Sequence, residues 1–183
     1  ESTVLVRASF NVPIVGGVVN NQFRITRGLA TLQFLVQQRC KVVVLGHIGK
    51  GEPSTKPIAD LLAAHGLTTT FCPAVSGEEA VAAVAQAGSG EVVVLENVRR
   101  DERETKNAPE LAVEFAALAD VYVNDAFAAS HREHASLVGV PQHLPSFVGF
   151  NFQHEYEALR TMREPGSPSL FMLGGAKFDT KMP

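Results

Sequence analysis

Basic and amide side chains recur directly after the apolar runs of this 183-residue sequence. The first run contains Arg7 and Ser9, and the stretch FNVPIVGGVV (residues 10–19) places Asn11 where that run stops. Later runs are followed by the stretches GHIGKG, ENVRR, NDAFAASHREH and GGAKFDTK. Arginine binds carboxylates and phosphates through a planar fork of N–H donors. Because the formal net charge of the chain is −3, this local concentration of cations indicates a site for an anionic ligand.

The stretches GHIGKG and ENVRR contain the strongest candidates. His47 lies in GHIG, between two glycines that allow the backbone to approach a ligand closely, and we interpret it as a ligand-binding residue. Arg99 follows the tripeptide LEN and is a second candidate. Lys50 is equally well explained as a solvated side chain. Arg24, just before the first long helical stretch, could reach the same ligand from the side.

The stretch NDAFAASHREH holds His131, Arg132 and His134. Two imidazoles with no evident third ligand favour substrate contact or capping over a metal site. Asp125, in the same stretch, has two equally good interpretations. It could act as a catalytic acid or base, or it could cap a turn after a strand.

The usual nucleotide motifs are absent from the sequence. Neither GHIGKG nor GGAKFDTK fits the P-loop pattern, and no GxGxxG follows the first apolar run. A dinucleotide-binding module is therefore disfavoured. The stretch GGAK (residues 174–177) still allows close backbone approach to a ligand, with a lysine to offset negative charge.

The elements that position these residues alternate between apolar runs and amphipathic stretches. The predicted strands are 4–9, 41–46, 68–72, 91–96, 120–125 and 169–175, and the predicted helices are 25–39, 55–65, 76–88, 108–119 and 152–163. Residues 126–150 are expected to be irregular. This alternation predicts a doubly wound α/β domain, a six-stranded parallel sheet with helices on both faces in three Rossmann-like layers. The polar stretches would then meet at the carboxyl edge of the sheet, where such folds bind ligands.

Composition excludes several classes of partner. The apolar runs are too short to span a membrane, and the acidic balance gives no reason to expect nucleic acid binding. We expect a cytoplasmic protein that acts as a monomer and binds a small anion.

Five motifs resemble the signatures of phosphoglycerate kinase in order and spacing. They are VRASFNVP, GHIGK, LENVR, ADVYVNDAFAASHREHAS and LGGAKFDTK. The resemblance spans the whole chain but covers only the N-terminal domain of that family. It implies a kinase that transfers a phosphoryl group between ATP and the carboxylate of 3-phosphoglycerate, giving ADP and 1,3-bisphosphoglycerate.

The resemblance also implies roles for individual residues. The positions that hold the triose are Asn11, Arg24, His47, Lys50, Arg99 and Arg132, with His131 and His134 in the same basic patch and Ser9 where the family has Asp. Arg24 and Lys177 would support the phosphoryl group in flight, and Gly174, Gly175, Lys177 and Lys181 would contact the nucleotide. Residues 1–168 would form the triose-binding domain, and 169–183 its last strand and the start of the interdomain connection. The nucleotide domain, with the magnesium ligand for Mg-ATP or Mg-ADP, would follow Pro183.

Departures from the family pattern leave an alternative open. Ser9 is one departure, and there are three more. The family usually has Arg at the position of Lys50, Gly at the position of Ala128 and an aromatic residue at the position of Arg100. A hydroxyl is a weaker acceptor than a carboxylate, and lysine lacks the fork of arginine. The resemblance therefore predicts a divergent member, whose isolated N-terminal half binds no cofactor and lacks turnover. The alternative is a non-catalytic anion-binding domain that keeps the fold but not the substrate.

Overall fold

The computed structural model describes residues 2–163, 165–170 and 172. The strands are β1 (Thr3–Ala8), β2 (Ile14–Val15), β3 (Val18–Val19), β4 (Lys41–Leu45), β5 (Thr69–Cys72), β6 (Val92–Leu95), β7 (Val121–Asp125) and β8 (Ser146–Val148). The helices are α1 (Phe23–Gln37), α2 (Lys56–Ala64), α3 (Glu78–Gln86), α4 (Glu102–Thr105), α5 (Pro109–Ala116) and α6 (Phe150–Arg163).

Six strands form one sheet in the order β5-β6-β4-β1-β7-β8, and every neighbouring pair is parallel. The strands β2 and β3 form a separate antiparallel hairpin between β1 and α1. The chain runs from β1 to one side of the sheet and crosses to β7 on the other side. The carboxyl ends of β1, β4 and β7 therefore flank the point where the winding direction reverses, which is where open α/β sheets bind ligands.

Both faces of the sheet are covered by helices. On one face, alternate residues of β1, beginning with Val4 and Val6, pack with Leu32 of α1 and Leu62 of α2. On the other face, Leu5 packs in a second cluster built from α3, α5 and the segment after β7. Continuous apolar strands suit this arrangement because both of their faces are buried. The predicted three-layer, doubly wound fold is confirmed.

The sixth strand of the sheet lies elsewhere than predicted. It is β8, within the stretch 126–150 that we expected to be irregular. All three of its residues are exposed, and they lack the apolar run that marks the other strands. The strand predicted at 169–175 falls largely outside the described residues, and residues 169, 170 and 172 belong to no strand. Within the described part of the chain, no helix combines the length and apolar character needed to cross a membrane.

Candidate functional site

Five basic residues lie together at the carboxyl edge of the sheet. We call them the basic cluster: Arg7, His47, Arg99, Arg132 and His134. Arg7 belongs to the end of β1, His47 follows β4, Arg99 lies in a 3₁₀ turn after β6, and the last two follow β7. Arg7 is hydrogen-bonded to His47, and Arg99 is anchored to the loop that carries His47. Arg7, Arg99, Arg132 and His134 all contribute to lowering the pKa of His47. Every member of the cluster except Arg7 was predicted as a site residue, so the structure brings four predicted residues together.

His47 is held as a neutral hydrogen-bond donor. Its Nδ1 atom lies 2.8 Å from Nη2 of Arg7. Arginine has no acceptor atoms, so Nδ1 must accept this bond and the ring proton must sit on Nε2. Burial and the neighbouring positive charges lower the pKa of His47 to about 2. An N–H donor without a net charge is therefore available at Nε2 throughout the physiological pH range.

Arg99 presents donor atoms that no described residue uses. Its Nη1 atom donates to the carbonyl oxygen of Gly49 at 2.6 Å, which fixes the guanidinium. Its Nε and Nη2 atoms are buried and have no partner among the described residues. Burial and the charges of Arg132 and Arg7 lower its pKa, but arginine stays protonated in proteins. This pair of adjacent donors matches the spacing of two oxygens of a carboxylate or phosphate.

His134 adds a third unused nitrogen. Its Nδ1 atom is buried without a hydrogen-bond partner in the described chain, and it lies 3.6 Å from a carboxylate oxygen of Glu104. Burial lowers its pKa. Among the described residues, the three buried side-chain nitrogens without partners all belong to Arg99 and His134. Nδ1 of His134 faces Glu104, whereas the two nitrogens of Arg99 have no acceptor nearby in the described chain; because buried polar atoms are nearly always paired, they indicate a place for an anion.

The loop after β4 is held against the cluster by two asparagines. Asn11 Oδ1 accepts a hydrogen bond from the N–H of Gly49 at 2.9 Å, and Asn97 Nδ2 donates to the carbonyl oxygens of Ile48 and Pro53. Asn11 thus reaches the site through the loop that also anchors Arg99. Gly51 has φ +136°, and a Cβ there would lie 2.6 Å from the carbonyl oxygen of Arg99, so only glycine fits.

Two other predicted residues line a separate small cavity. Ser9 and Arg24 face a space of about 90 Å³ that is also lined by Arg27, Ala128, Asn151 and Glu155. Asn151 Nδ2 donates to Glu155 Oε1 at 3.0 Å. Ser9 and Ala128, two of the departures from the family pattern, therefore meet in one place. No described contact joins Arg24 to the basic cluster.

The remaining predicted residues contribute less to this geometry. Lys50 and His131 are exposed. Gly174, Gly175, Lys177 and Lys181 lie outside the described residues. The sequence analysis missed Arg7, although an arginine inside the apolar run VLVRAS is itself a signal, because burying a charge requires partners.

Asp125 acts as a helix cap in this structure. It is buried at the end of β7, and its Oδ1 atom accepts a hydrogen bond from the backbone N–H of Phe152 in the first turn of α6, at 3.1 Å. Burial raises its pKa to about 6. Of the two interpretations of Asp125, these contacts favour the cap.

The raised pKa of Asp125 predicts a pH-dependent stability. Its ordinary value of 3.8 is lower than the folded value, so protonation favours the folded state. That contribution is complete below about pH 4 and is lost as the pH rises through about 6. Asp125→Asn, which keeps an acceptor for Phe152, should raise the free energy of unfolding by about 2 kcal/mol at pH 8 and change it little at pH 4.

Urea titrations of both proteins at the two pH values measure this difference. Asp60→Asn, on the exposed surface of α2, controls for the loss of one negative charge. An equal effect of Asp125→Asn at pH 4 and pH 8 would show that ionisation of Asp125 does not matter to stability.

Together, the fold and the basic cluster define an α/β domain with positively charged and unpartnered donor groups at the carboxyl edge of its sheet. A family model described as phosphoglycerate kinase matches residues 1–183. The chain belongs to the phosphoglycerate kinase family, as the resemblance of its motifs predicted.

Individual relatives agree with this assignment. The chain is 44% identical to a phosphoglycerate kinase of Fervidobacterium nodosum over 98% of its own length, and 46% identical to one of Rhodospirillum centenum, also over 98%. It covers 47% and 48% of those proteins. A crystal structure of phosphoglycerate kinase from Pyrococcus horikoshii superimposes with a TM-score of 0.90 at 31% identity, over 97% of this chain and 47% of that one. The chain therefore spans about half the length of the curated relatives it matches.

Proposed function

We propose that this chain is the triose-binding half of a phosphoglycerate kinase and that its basic cluster binds 3-phosphoglycerate. The observation that supports this most directly is the pair of adjacent, buried and unpartnered nitrogens on Arg99. In the proposed reaction, a phosphoryl group passes between ATP and the carboxylate of the bound triose. Residues 1–168 form the binding domain in this proposal, and 169–183 begin the connection to a nucleotide domain.

The cluster suits a ligand with several negative charges. 3-Phosphoglycerate carries a phosphate and a carboxylate, and the fork of Arg99 can bind two oxygens of either group. Arg7 and Arg132 add charge, and the Nε2–H of His47 adds a neutral donor. Together they would fix one end of the triose, which is the main task of an enzyme that transfers phosphoryl groups by positioning and electrostatics.

The transferred group would be supported from a different side. In this proposal, Arg24 and Lys177 would support the phosphoryl group in transfer, and Gly174, Gly175, Lys177 and Lys181 would serve in nucleotide binding. Mg-ATP would supply the phosphoryl group, with magnesium offsetting its charge. The described residues include no group of three His, Cys, Asp or Glu side chains suited to a metal. In this proposal the metal ligand belongs to the nucleotide domain, as the family resemblance implies. The protein would work as a cytoplasmic monomer, without nucleic acid or membrane partners.

Calorimetry with 3-phosphoglycerate tests the proposal. We expect the 183-residue protein to bind the triose at low ionic strength and to lose about tenfold in affinity between roughly 20 mM and 200 mM salt, because salt screens the charges of the cluster. Glycerol, which lacks both charged groups, is the matched control ligand and should not bind.

Two outcomes of this titration would contradict the proposal. No heat at low salt would favour the alternative, a domain that keeps the fold but not the substrate. Binding that is indifferent to salt would mean that the basic cluster is not the site. With ATP added, we expect no turnover by this half alone.

A further inference from the structure

Behind the basic cluster lies a buried carboxylate that the proposed binding step does not use. Glu104, on the short helix α4, is completely buried. Its Oε1 atom accepts a hydrogen bond from the hydroxyl of Ser136 at 2.6 Å, and its Oε2 atom accepts one from the backbone N–H of Ser136 at 2.9 Å. Because both of its oxygens accept hydrogen bonds from one residue, this buried carboxylate is held in a single orientation.

Ser136 connects this carboxylate to Arg7. The Nε atom of Arg7 donates to the Ser136 hydroxyl oxygen at 2.8 Å. Because arginine only donates, the serine oxygen accepts from Arg7 and its single proton must point to Glu104. Arg7 also donates through Nη1 to the carbonyl oxygen of Ala8 at 2.7 Å and through Nη2 to His47. The direction of each bond from Glu104 to His47 is therefore determined.

The opposite charges of Arg7 and Glu104 are consistent with this chain of hydrogen bonds. Arg7 is completely buried, and burial lowers its pKa while the charge of Glu104 opposes that shift. Without Glu104, the guanidinium would be a buried cation without a compensating carboxylate, and its charge also acts on Arg99. A buried charge left without its partner is strongly destabilising, so we expect Arg7 to lose its fixed orientation when the carboxylate is removed.

We propose that Glu104 is a positioning residue that acts through Ser136 and Arg7 to fix the tautomer and orientation of His47. We call the chain of hydrogen bonds from Glu104 through Ser136 and Arg7 to His47 the relay. This inference rests on the proposed function, since His47 is the end of the relay that would meet the triose. Glu104 itself does not touch the ligand. Its effect is to keep the Nε2–H of His47 directed to the anion.

The test reads the tautomer of His47 directly in the ligand-free protein. Nitrogen-15 NMR of the histidine side chains distinguishes a ring protonated at Nε2 from one protonated at Nδ1. We expect the wild-type protein to show the Nε2–H form alone. Ser136→Ala, which removes the relay with little change in volume, and Glu104→Gln, which removes the charge, should both give a mixture of tautomers.

A matched control is available on the same helix. Glu102 is exposed and pairs with Lys106, so Glu102→Gln makes the same chemical change outside the relay and should leave the tautomer and the triose affinity unchanged. In calorimetry, we expect Ser136→Ala to weaken 3-phosphoglycerate binding about tenfold, the usual effect of losing a hydrogen bond with a charged partner.

The two proposals can fail separately. If the wild-type protein does not bind 3-phosphoglycerate, the proposed function is wrong, and the tautomer measurement still decides whether Glu104 positions His47. If Ser136→Ala folds and keeps a pure Nε2–H ring, the positioning role is wrong, even where triose binding is normal. Ser136→Ala also keeps the test decisive if Glu104→Gln fails to fold.

Discussion

Arg99→Gln is expected to weaken the binding of 3-phosphoglycerate by about a hundredfold. Two of the guanidinium nitrogens are buried and unpartnered among the described residues, so they are free to donate to the ligand. A hydrogen bond to a charged group contributes about 1.5–3 kcal/mol, and the change removes two of them together with a full positive charge. Arg132 in the basic cluster is exposed, whereas the guanidinium of Arg99 is fixed by its bond to Gly49 with two adjacent donors buried and unpartnered in the described chain.

The same change should leave the ligand-free protein nearly as stable as before. Arg99→Gln loses the hydrogen bond to Gly49, which is worth roughly 1 kcal/mol, but it also relieves repulsion from Arg132 and Arg7. Urea unfolding measures this balance, and calorimetry measures the affinity. A large loss of affinity with unchanged stability is what we expect of a residue held in place for a ligand.

Arg39→Gln is the matched control for Arg99→Gln. Arg39 is exposed and lies just before β4, at the opposite edge of the sheet. Arg39→Gln removes the same charge as Arg99→Gln but leaves the basic cluster intact. The affinity for 3-phosphoglycerate should therefore fall less than about twofold, the effect of a distant and screened charge. Equal losses from the two variants would show that net charge, and not the fork of Arg99, controls binding.

Gly149→Ala is expected to lower the free energy of unfolding by about 3 kcal/mol. Gly149 lies between β8 and α6, and a Cβ there would overlap the Oδ1 atom of Asp125 and lie 2.7 Å from its Cβ. Asp125 is buried and bound to the first turn of α6, so neither partner can move without breaking that cap. The cost is therefore steric, and it arises from close packing at the start of α6.

Gly166→Ala provides the comparison, because a Cβ at Gly166 would meet no atom within 4 Å. It should change the free energy of unfolding by less than about 0.5 kcal/mol. Both variants can be measured by urea titration with circular dichroism. If the Gly149→Ala protein were as stable as the Gly166→Ala protein, the close packing of Gly149 against Asp125 would be contradicted.

The main strands were predictable because buried parallel strands leave long apolar runs. Runs such as KVVVLG and EVVVLE contain β4 and β6 almost unchanged. The edge strand β8 was not predictable in this way, since it consists of three exposed residues in a segment with two prolines. Its place in the sheet comes from pairing with β7, which is a tertiary effect.

The members of the candidate site were predictable to the extent that they follow strands. His47, Arg99, Arg132 and His134 all lie in loops at the carboxyl edge, where polar residues in an α/β sequence have functional meaning. The relay behind them was not predictable, because Ser136 and Arg7 lie 129 residues apart in the sequence. Arg24 and Ser9 line a cavity apart from the basic cluster. That position depends on how the elements pack and not on sequence spacing.

A crystal structure of the protein with 3-phosphoglycerate tests the central claim most directly. We predict that oxygens of the triose lie within hydrogen-bond distance of Nε and Nη2 of Arg99 and of Nε2 of His47. A triose bound with full occupancy anywhere else on the surface, with these nitrogens still unpartnered, would contradict the claim.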